Sequence, residues 1–209
     1  MLLMIKITLL YIILIVNMTQ GALEDNFVYQ EFKNLINRFN IKKIIETGTY
    51  YGWSTMKLAE FGIDVTTIEY SKENHNIAND NFSKSNFLNI KSMLGSSPDV
   101  LKEILTEEDN DIILFLDAHW YDYWPIHDEL RVCIEKKIKP VIIIHDFFVP
   151  DENGNAKFGF DKYGEQSLDF NYIKNFLIEI YGENNYDYHY NNESDNVGQG
   201  LIYIYGNNG

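Results

Sequence analysis

The sequence predicts an α/β fold on a doubly wound, mostly parallel sheet of seven strands that closes with a C-terminal antiparallel pair. Three observations predict it. Near-continuous apolar runs such as DIILFLD and KPVIIIHD are bounded by polar residues, the composition of strands buried on both faces. These runs alternate with segments whose apolar residues recur at helical spacing. The chain then ends in two aromatic and β-branched stretches, NYDYHYN and GLIYIYG, that read as neighbouring strands.

Taken in order, FVYQEFKNLINRF (27–39) has helical apolar spacing, and IKKIIET (41–47) is a strand. Residues 53–61 read as a helix stopped near Gly62. DVTTIEY (64–70) is β-branched, hence a strand; residues 71–84 follow as a helix with Ser71 as its cap. NIKSML is a short strand ending at Gly95, and Pro98 belongs in the first turn of a helix over 97–105. DIILFLD leads to a helix over 121–137, and KPVIIIHD to a long loop over 147–167, longer than an ordinary connection and so a lid or binding loop. Residues 168–181 read as a helix capped by Ser167, ahead of the final strand pair.

At 209 residues the chain is long enough for one domain with a full core. With 31 acids against 17 bases the formal net charge is -14, which opposes nucleic-acid binding and favours a small-molecule or glycan acceptor. One cysteine, Cys133, excludes an intrachain disulfide and a cysteine-built metal site, and reads as a buried small hydrophobe. Residues 1–22 carry an early Lys6, then an apolar run over 7–16, and read as a signal peptide or N-terminal anchor preceding a domain over 25–209. That segment implies the secretory pathway or membrane association through the N-terminus; the domain is cytoplasmic if the segment is not a signal. Oligomeric state is not legible.

Ligands of open α/β sheets sit beyond the carboxyl ends of the strands. Acids, hydroxyls and histidines concentrate there: Glu46 to Gly52, Glu69 and Tyr70, Gly95 to Ser97, Asp117 to Trp120, and His145 to Phe148. The first of these loops has glycines spaced G-x-x-x-G, not the G-x-G-x-x-G of a dinucleotide site, with Glu46 two residues ahead. A carboxylate there repels a pyrophosphate and suits a cationic ligand, and S-adenosylmethionine carries both an ammonium and a sulfonium. Glu69 can accept two hydrogen bonds from ribose hydroxyls.

ETGTYYGWST followed by TTIEY, MLGSSPDVL, LFLDAHWYDYWPIHDEL and PVIIIHDF resembles a class I S-adenosylmethionine-dependent methyltransferase, Rossmann-like in fold, over about residues 27–206. Within that superfamily the chain is most similar to small O-methyltransferases. The resemblance implies that Glu46, Gly48, Thr49 and Gly52 frame the methionine part of the cofactor, Glu69 the ribose and Ser96 the adenine edge. Asp117 would lie near the methyl group, with Asp146 across the pocket. Related metal-dependent enzymes hold Mg²⁺ with carboxylates at these two strand ends, so Asp117 and Asp146 are candidate ligands of a divalent ion, Mg or Mn. His119 and His145 stand where oxygen donors are usual, and imidazole favours softer ions than Mg. The sequence departs from its relatives at Tyr50, where many have another glycine, and this narrows the loop.

Methyl transfer to a hydroxyl also needs a base, and His119 and His145 are both candidates alongside Asp117, with His119 preferred. Aromatics cluster around the site: Trp120, Tyr121, Tyr123, Trp124, Phe147, Phe148, Phe158, Phe160 and Tyr163. They either pack a lid or stack on a flat acceptor, with Asp161, Lys162 and Glu165 available to its hydroxyls. Asp128 and Glu129 read as solvent-facing. The reading is an O-methyltransferase; the alternative is a non-catalytic nucleoside-binding or scaffold domain of the same fold.

Overall fold

The computed structural model describes residues 21–120, 123–195 and 198–207. The leader or anchor expected over 1–22 therefore lies outside the described residues except for Gly21 and Ala22, which open a short 3₁₀ turn. Among the described residues no helix is long and apolar enough to cross a membrane.

The elements run α1 (Asn26–Arg38), β1 (Lys43–Thr47), α2 (Trp53–Ala59), β2 (Asp64–Glu69), α3 (Lys72–Lys84), β3 (Ile90–Leu94), α4 (Ser97–Ile104), β4 (Ile112–Leu116), α5 (Ile126–Lys136) and β5 (Val141–Ile144). A small hairpin of β6 (Lys162–Tyr163) and β7 (Gln166–Ser167) follows, then α6 (Phe170–Tyr181), β8 (Tyr186–Tyr190) and β9 (Ile202–Gly206). The seven-stranded sheet has the order β3-β2-β1-β4-β5-β9-β8. Strands β1 to β5 are parallel to their neighbours, β9 runs antiparallel to β5, and β8 antiparallel to β9.

Both faces of this sheet are covered, and the strand sequences show why. Ile44, Ile113, Phe115, Ile143 and Tyr203 point to the side of α1 and α2, where Val28, Phe32, Leu35 and Leu58 meet them. The alternate residues Ile45, Leu114, Leu116, Ile142 and Ile204 point to the side of α4, α5 and α6, against Leu101, Leu130 and Leu177. With period-2 side chains apolar on both faces, the strands read as unbroken apolar runs rather than alternating ones. Burial of this kind contributes about 1.5–3 kcal/mol per large side chain before entropy is subtracted. Cys133 is a fully buried free thiol on α5.

Two helix boundaries differ from expectation. The helix expected from 121 begins at Ile126, with Pro125 as its cap. Proline disfavours helical backbone at the residue before it, so a helix cannot run through Trp124. Trp120 and Tyr123 instead form a short antiparallel bridge. The helix expected from 168 begins at Phe170, because the Asp169 carboxylate, not Ser167, accepts the Tyr172 amide.

Candidate functional site

Strand β1 sits between β2 and β4, so the chain leaves the sheet in opposite directions on either side of it. This is the switch point at which open sheets bind ligands. A cleft of about 1360 Å³ opens there, lined from the ends of β1 to β5. Single-ligand pockets run to about 300–1,000 Å³, so this one has room for a cofactor and an acceptor together.

The β1 loop forms the first wall. Gly48 has φ +86°, and a Cβ placed on it would stand 2.5 Å from the Asp117 carbonyl oxygen. The loop therefore lies directly on the end of β4. The Gly52 amide donates to the Thr49 carbonyl at 2.8 Å, closing a turn. Gly52 itself, at φ +84°, caps α2 with its missing Cβ against the Phe82 ring. Tyr50 takes a left-handed conformation (φ 49°) inside this turn. Its amide donates to Glu69 Oε2 at 2.7 Å, while its ring turns outward, 43% exposed, and stacks on Tyr51 at 3.9 Å. Tyr50 is thus a residue of the cleft lining. Gly48→Ala should cost about 1–3 kcal/mol of stability from backbone strain and contact with Asp117, read as a lowered thermal midpoint.

Glu46 departs from expectation. It is fully buried beneath the loop and does not line the cleft. Its Oε2 accepts from the hydroxyls of Thr55 and Thr67, while Oε1 has no partner among the described residues. Burial pushes its pKa up to about 8, with the two threonine hydroxyls pulling the other way. Its side chain does not reach the cleft, so it forms no wall of it. Gly52 likewise supports the loop without lining the cleft. Thr49 does line it, its hydroxyl bonded to that of Thr67 at 2.6 Å.

Glu69, at the end of β2, lines the cleft with its carboxylate fixed from behind, since Oε1 accepts the Ser71 amide at 2.8 Å and Oε2 that of Tyr50. Each carboxylate oxygen has a lone pair left for a ligand. Beyond β3 the structure shifts the expected residue by one. Ser96 caps α4 outside the cleft, whereas Ser97 lines it, 2% exposed, with its hydroxyl buried on the side of Glu129. Tyr70 and Trp120 stand over this part of the cleft with ring centroids 4.7 Å apart.

Strands β4 and β5 supply the acids and bases. His145 Nδ1 lies 2.8 Å from Asp117 Oδ1 and 3.4 Å from Asp146 Oδ2. Asp146 adopts φ 53°, and its Oδ1 is buried without a partner. Burial alone would lower the His145 pKa, but the carboxylates of Asp117 and Asp146 outweigh it and hold it well above the usual histidine value. Burial raises Asp117 and would raise Asp146, but the His145 imidazolium outweighs it at Asp146 and holds that group below its ordinary range. One oxygen or nitrogen from each of the three lies within 4.8 Å of the others, a spacing that fits a divalent ion. His119, the preferred base from sequence, lines the cleft at its exposed rim.

The aromatic loop residues mostly pack the lid. Trp124 is buried, stacks on Tyr163 at 4.3 Å and donates to Asp161 Oδ2 at 3.1 Å, and Phe148 meets Phe160 edge-on at 5.0 Å. Asp161 is thereby committed to Trp124. Tyr121 lies outside the described residues. The far wall was missed in the sequence: Asp25, Val28, Gly159, Gln199 and Leu201 converge from distant segments. Asp25 joins two of them, since its Oδ1 accepts the Phe27 and Val28 amides and its Oδ2 the Ser194 hydroxyl and the Asp195 amide. Glu129, expected at the surface, is fully buried, with the Ser97 and Thr47 hydroxyls facing its carboxyl.

The O-methyltransferase family model matches residues 6–145. Comparison with curated proteins gives no match. Among solved structures, a Staphylococcus aureus protein provisionally assigned as a caffeoyl-CoA O-methyltransferase is 19% identical with a TM-score of 0.59, the match covering 96% of this chain and 91% of that one. A Bacillus cereus O-methyltransferase in complex with S-adenosylhomocysteine (SAH) is 22% identical at a TM-score of 0.59, over 85% of this chain and 80% of that one. The Streptomyces achromogenes O-methyltransferase TomG, in complex with S-adenosylmethionine (SAM), is 15% identical at 0.57, over 85% and 78%. At these identities the likeness is one of fold.

Proposed function

The chain belongs to the O-methyltransferase family, and from that premise we propose that its cleft binds SAM and transfers the methyl group to a hydroxyl of a small acceptor. The observation that carries this reading is the seating of Gly48 on the Asp117 carbonyl, which puts the cofactor loop and the acid–base cluster on one wall. In this reading Gly48 and Thr49 bound the methionine end, Glu69 accepts from the ribose hydroxyls, the backbone of Gly95 to Ser97 bounds the adenine edge, and the Tyr70–Trp120 pair covers one of its faces. Stacking of that kind contributes about 1–3 kcal/mol per base, so Trp120→Ala should weaken SAH binding about tenfold or more in calorimetry.

In the reaction the acceptor oxygen attacks the methyl carbon, the carbon–sulfur bond breaks, and its electron pair stays on sulfur, turning the sulfonium into a thioether. The acceptor proton must leave as this happens. His145 donates its Nδ1–H to Asp117, which leaves Nε2 of the neutral ring to take that proton. Asp117 and Asp146 orient the ring and raise its basicity. His119 at the rim is a route for the proton to solvent.

The same three residues fit a divalent ion, because Asp146 Oδ1 is a buried donor with no partner and the carboxylate–imidazole set suits Mn better than Mg. Bound there, the ion would act as a Lewis acid that lowers the pKa of the acceptor hydroxyl. Ligation and proton transfer by His145 exclude one another, and chelation separates them. The test is transfer of a labelled methyl group from SAM to catechol and monosaccharide acceptors, followed by mass, with and without EDTA. Transfer that persists in EDTA supports His145 as base, and transfer that EDTA abolishes assigns the cluster to the metal. SAH binding with no transfer to any acceptor would support the scaffold reading.

A further inference from the structure

The cleft also restricts the charge of what it methylates. Asp25, Glu69, Asp117 and Asp146 lie on its walls, and among the described residues no lysine or arginine lines it. Of the cations on neighbouring elements, Lys57 pairs with Glu60 at 2.9 Å and Lys157 donates to the Asn192 carbonyl at 2.5 Å, while Lys72, beside the cleft-lining Ser71, and Lys162 on β6 are exposed and do not line the cleft. The basic groups that reach the cleft are His119 and His145, and His145 already faces two carboxylates. In the SAH-bound, metal-free cleft a carboxylate, phosphate or sulfate would lose its water and meet no protein cation that is not already paired with a carboxylate, which is the costly arrangement for a buried charge. A flat uncharged ring meets a suitable surface instead, because Tyr51 and the partly exposed Trp53 offer aromatic faces at the mouth.

We infer that the acceptor is a hydroxylated ring with no anionic group, neutral or carrying an ammonium. Acceptors that carry a carboxylate, phosphate or sulfate on the ring that enters the cleft are excluded. This rests on the methyltransferase reading and adds the substrate class to it.

The test begins with calorimetric titration of SAH. The SAH-saturated protein is then titrated, with tryptophan fluorescence as the readout, against two charge series: 4-methylcatechol, dopamine and 3,4-dihydroxybenzoate, and glucose, glucosamine and glucuronate. In the series that binds, the neutral and cationic members should bind at least about tenfold tighter than the anionic one. Gln199→Lys, which places an ammonium on the wall, should improve the anionic member about tenfold relative to the neutral one. Equal or tighter binding of the anionic member to the native protein overturns the inference, as does saturable binding of no neutral or cationic member, or a Gln199→Lys variant with no gain. A chain that binds no SAH loses both readings. A chain that binds SAH and prefers the anion keeps the methyltransferase reading and loses this one.

Discussion

His145→Ala should lower methyl transfer by about 10²–10⁴-fold, the range that a positioned general base supplies. SAH binding should change little, because His145 stands at the acceptor side of the cleft, away from Glu69 and Ser97. The pH profile carries more information than the loss itself. His145 must be neutral to take a proton, and Asp117 and Asp146 hold its pKa well above the usual histidine value. The rate of the native protein should therefore rise with pH along a limb displaced to the alkaline side of an ordinary histidine. Asp146→Asn removes one of the two carboxylates, so its limb should move to lower pH while the plateau rate falls. A His145→Ala variant with an unchanged thermal midpoint and an unchanged rate would remove the residue from the mechanism. His145→Asn, which keeps a hydrogen-bond donor toward Asp117, separates loss of the base from loss of local structure.

The second large effect is on stability. Glu129 is fully buried, and its pKa is pushed up from 4.5 to about 7, chiefly by burial, with the Ser97 and Thr47 hydroxyls pulling the other way. The native state therefore holds this proton to higher pH than the unfolded chain does. The contribution of Glu129 to stability is full below about pH 4.5, declines as pH rises, and is lost above about pH 7. The difference corresponds to roughly 3 kcal/mol at the alkaline end. Glu46, pushed up to about 8, adds to the same decline and extends it. Glu129→Gln keeps the shape and cannot ionise. Thermal unfolding at pH 8 should rise by roughly 5–10 °C in this variant, with little change at pH 4.5. If Glu129→Gln retains the native pH slope, the carboxyl is not neutral in the folded state and its burial is misassigned.

These two residues also show what a single sequence can and cannot convey. The strands were legible because parallel strands covered on both faces are apolar along their length, as the runs at 112–116 and 141–144 are. The strand ends were legible too, since the topology alone directs attention to Gly48, Glu69, Asp117, His145 and Asp146, and all of these line one cleft. Glu46 misled because a carboxylate near a glycine loop invites a ligand-binding role. It lies within β1, however, where both faces are covered, so its side chain is buried whatever its polarity. Glu129 misled because charge was weighed above periodicity. It stands three residues after Ile126 and four before Cys133, on the buried stripe of α5. The shift from Ser96 to Ser97 depends on where α4 makes its first turn, a detail finer than sequence boundaries resolve. The wall built by Asp25 and Gln199 was not legible at all, because contacts across more than 150 residues leave no local pattern.

The central claim is that the switch-point cleft is a SAM site whose ribose is held by Glu69. Calorimetric titration of SAH into the native protein and into Glu69→Gln tests it most directly. Removing the charge from a carboxylate that accepts ligand hydroxyls costs about 1.5–3 kcal/mol, or roughly 10–100-fold in affinity. The account expects saturable SAH binding by the native protein, that degree of weakening in the variant, and no binding of NAD by either. Binding of NAD without SAH, or equal SAH affinity in the two proteins, would contradict it.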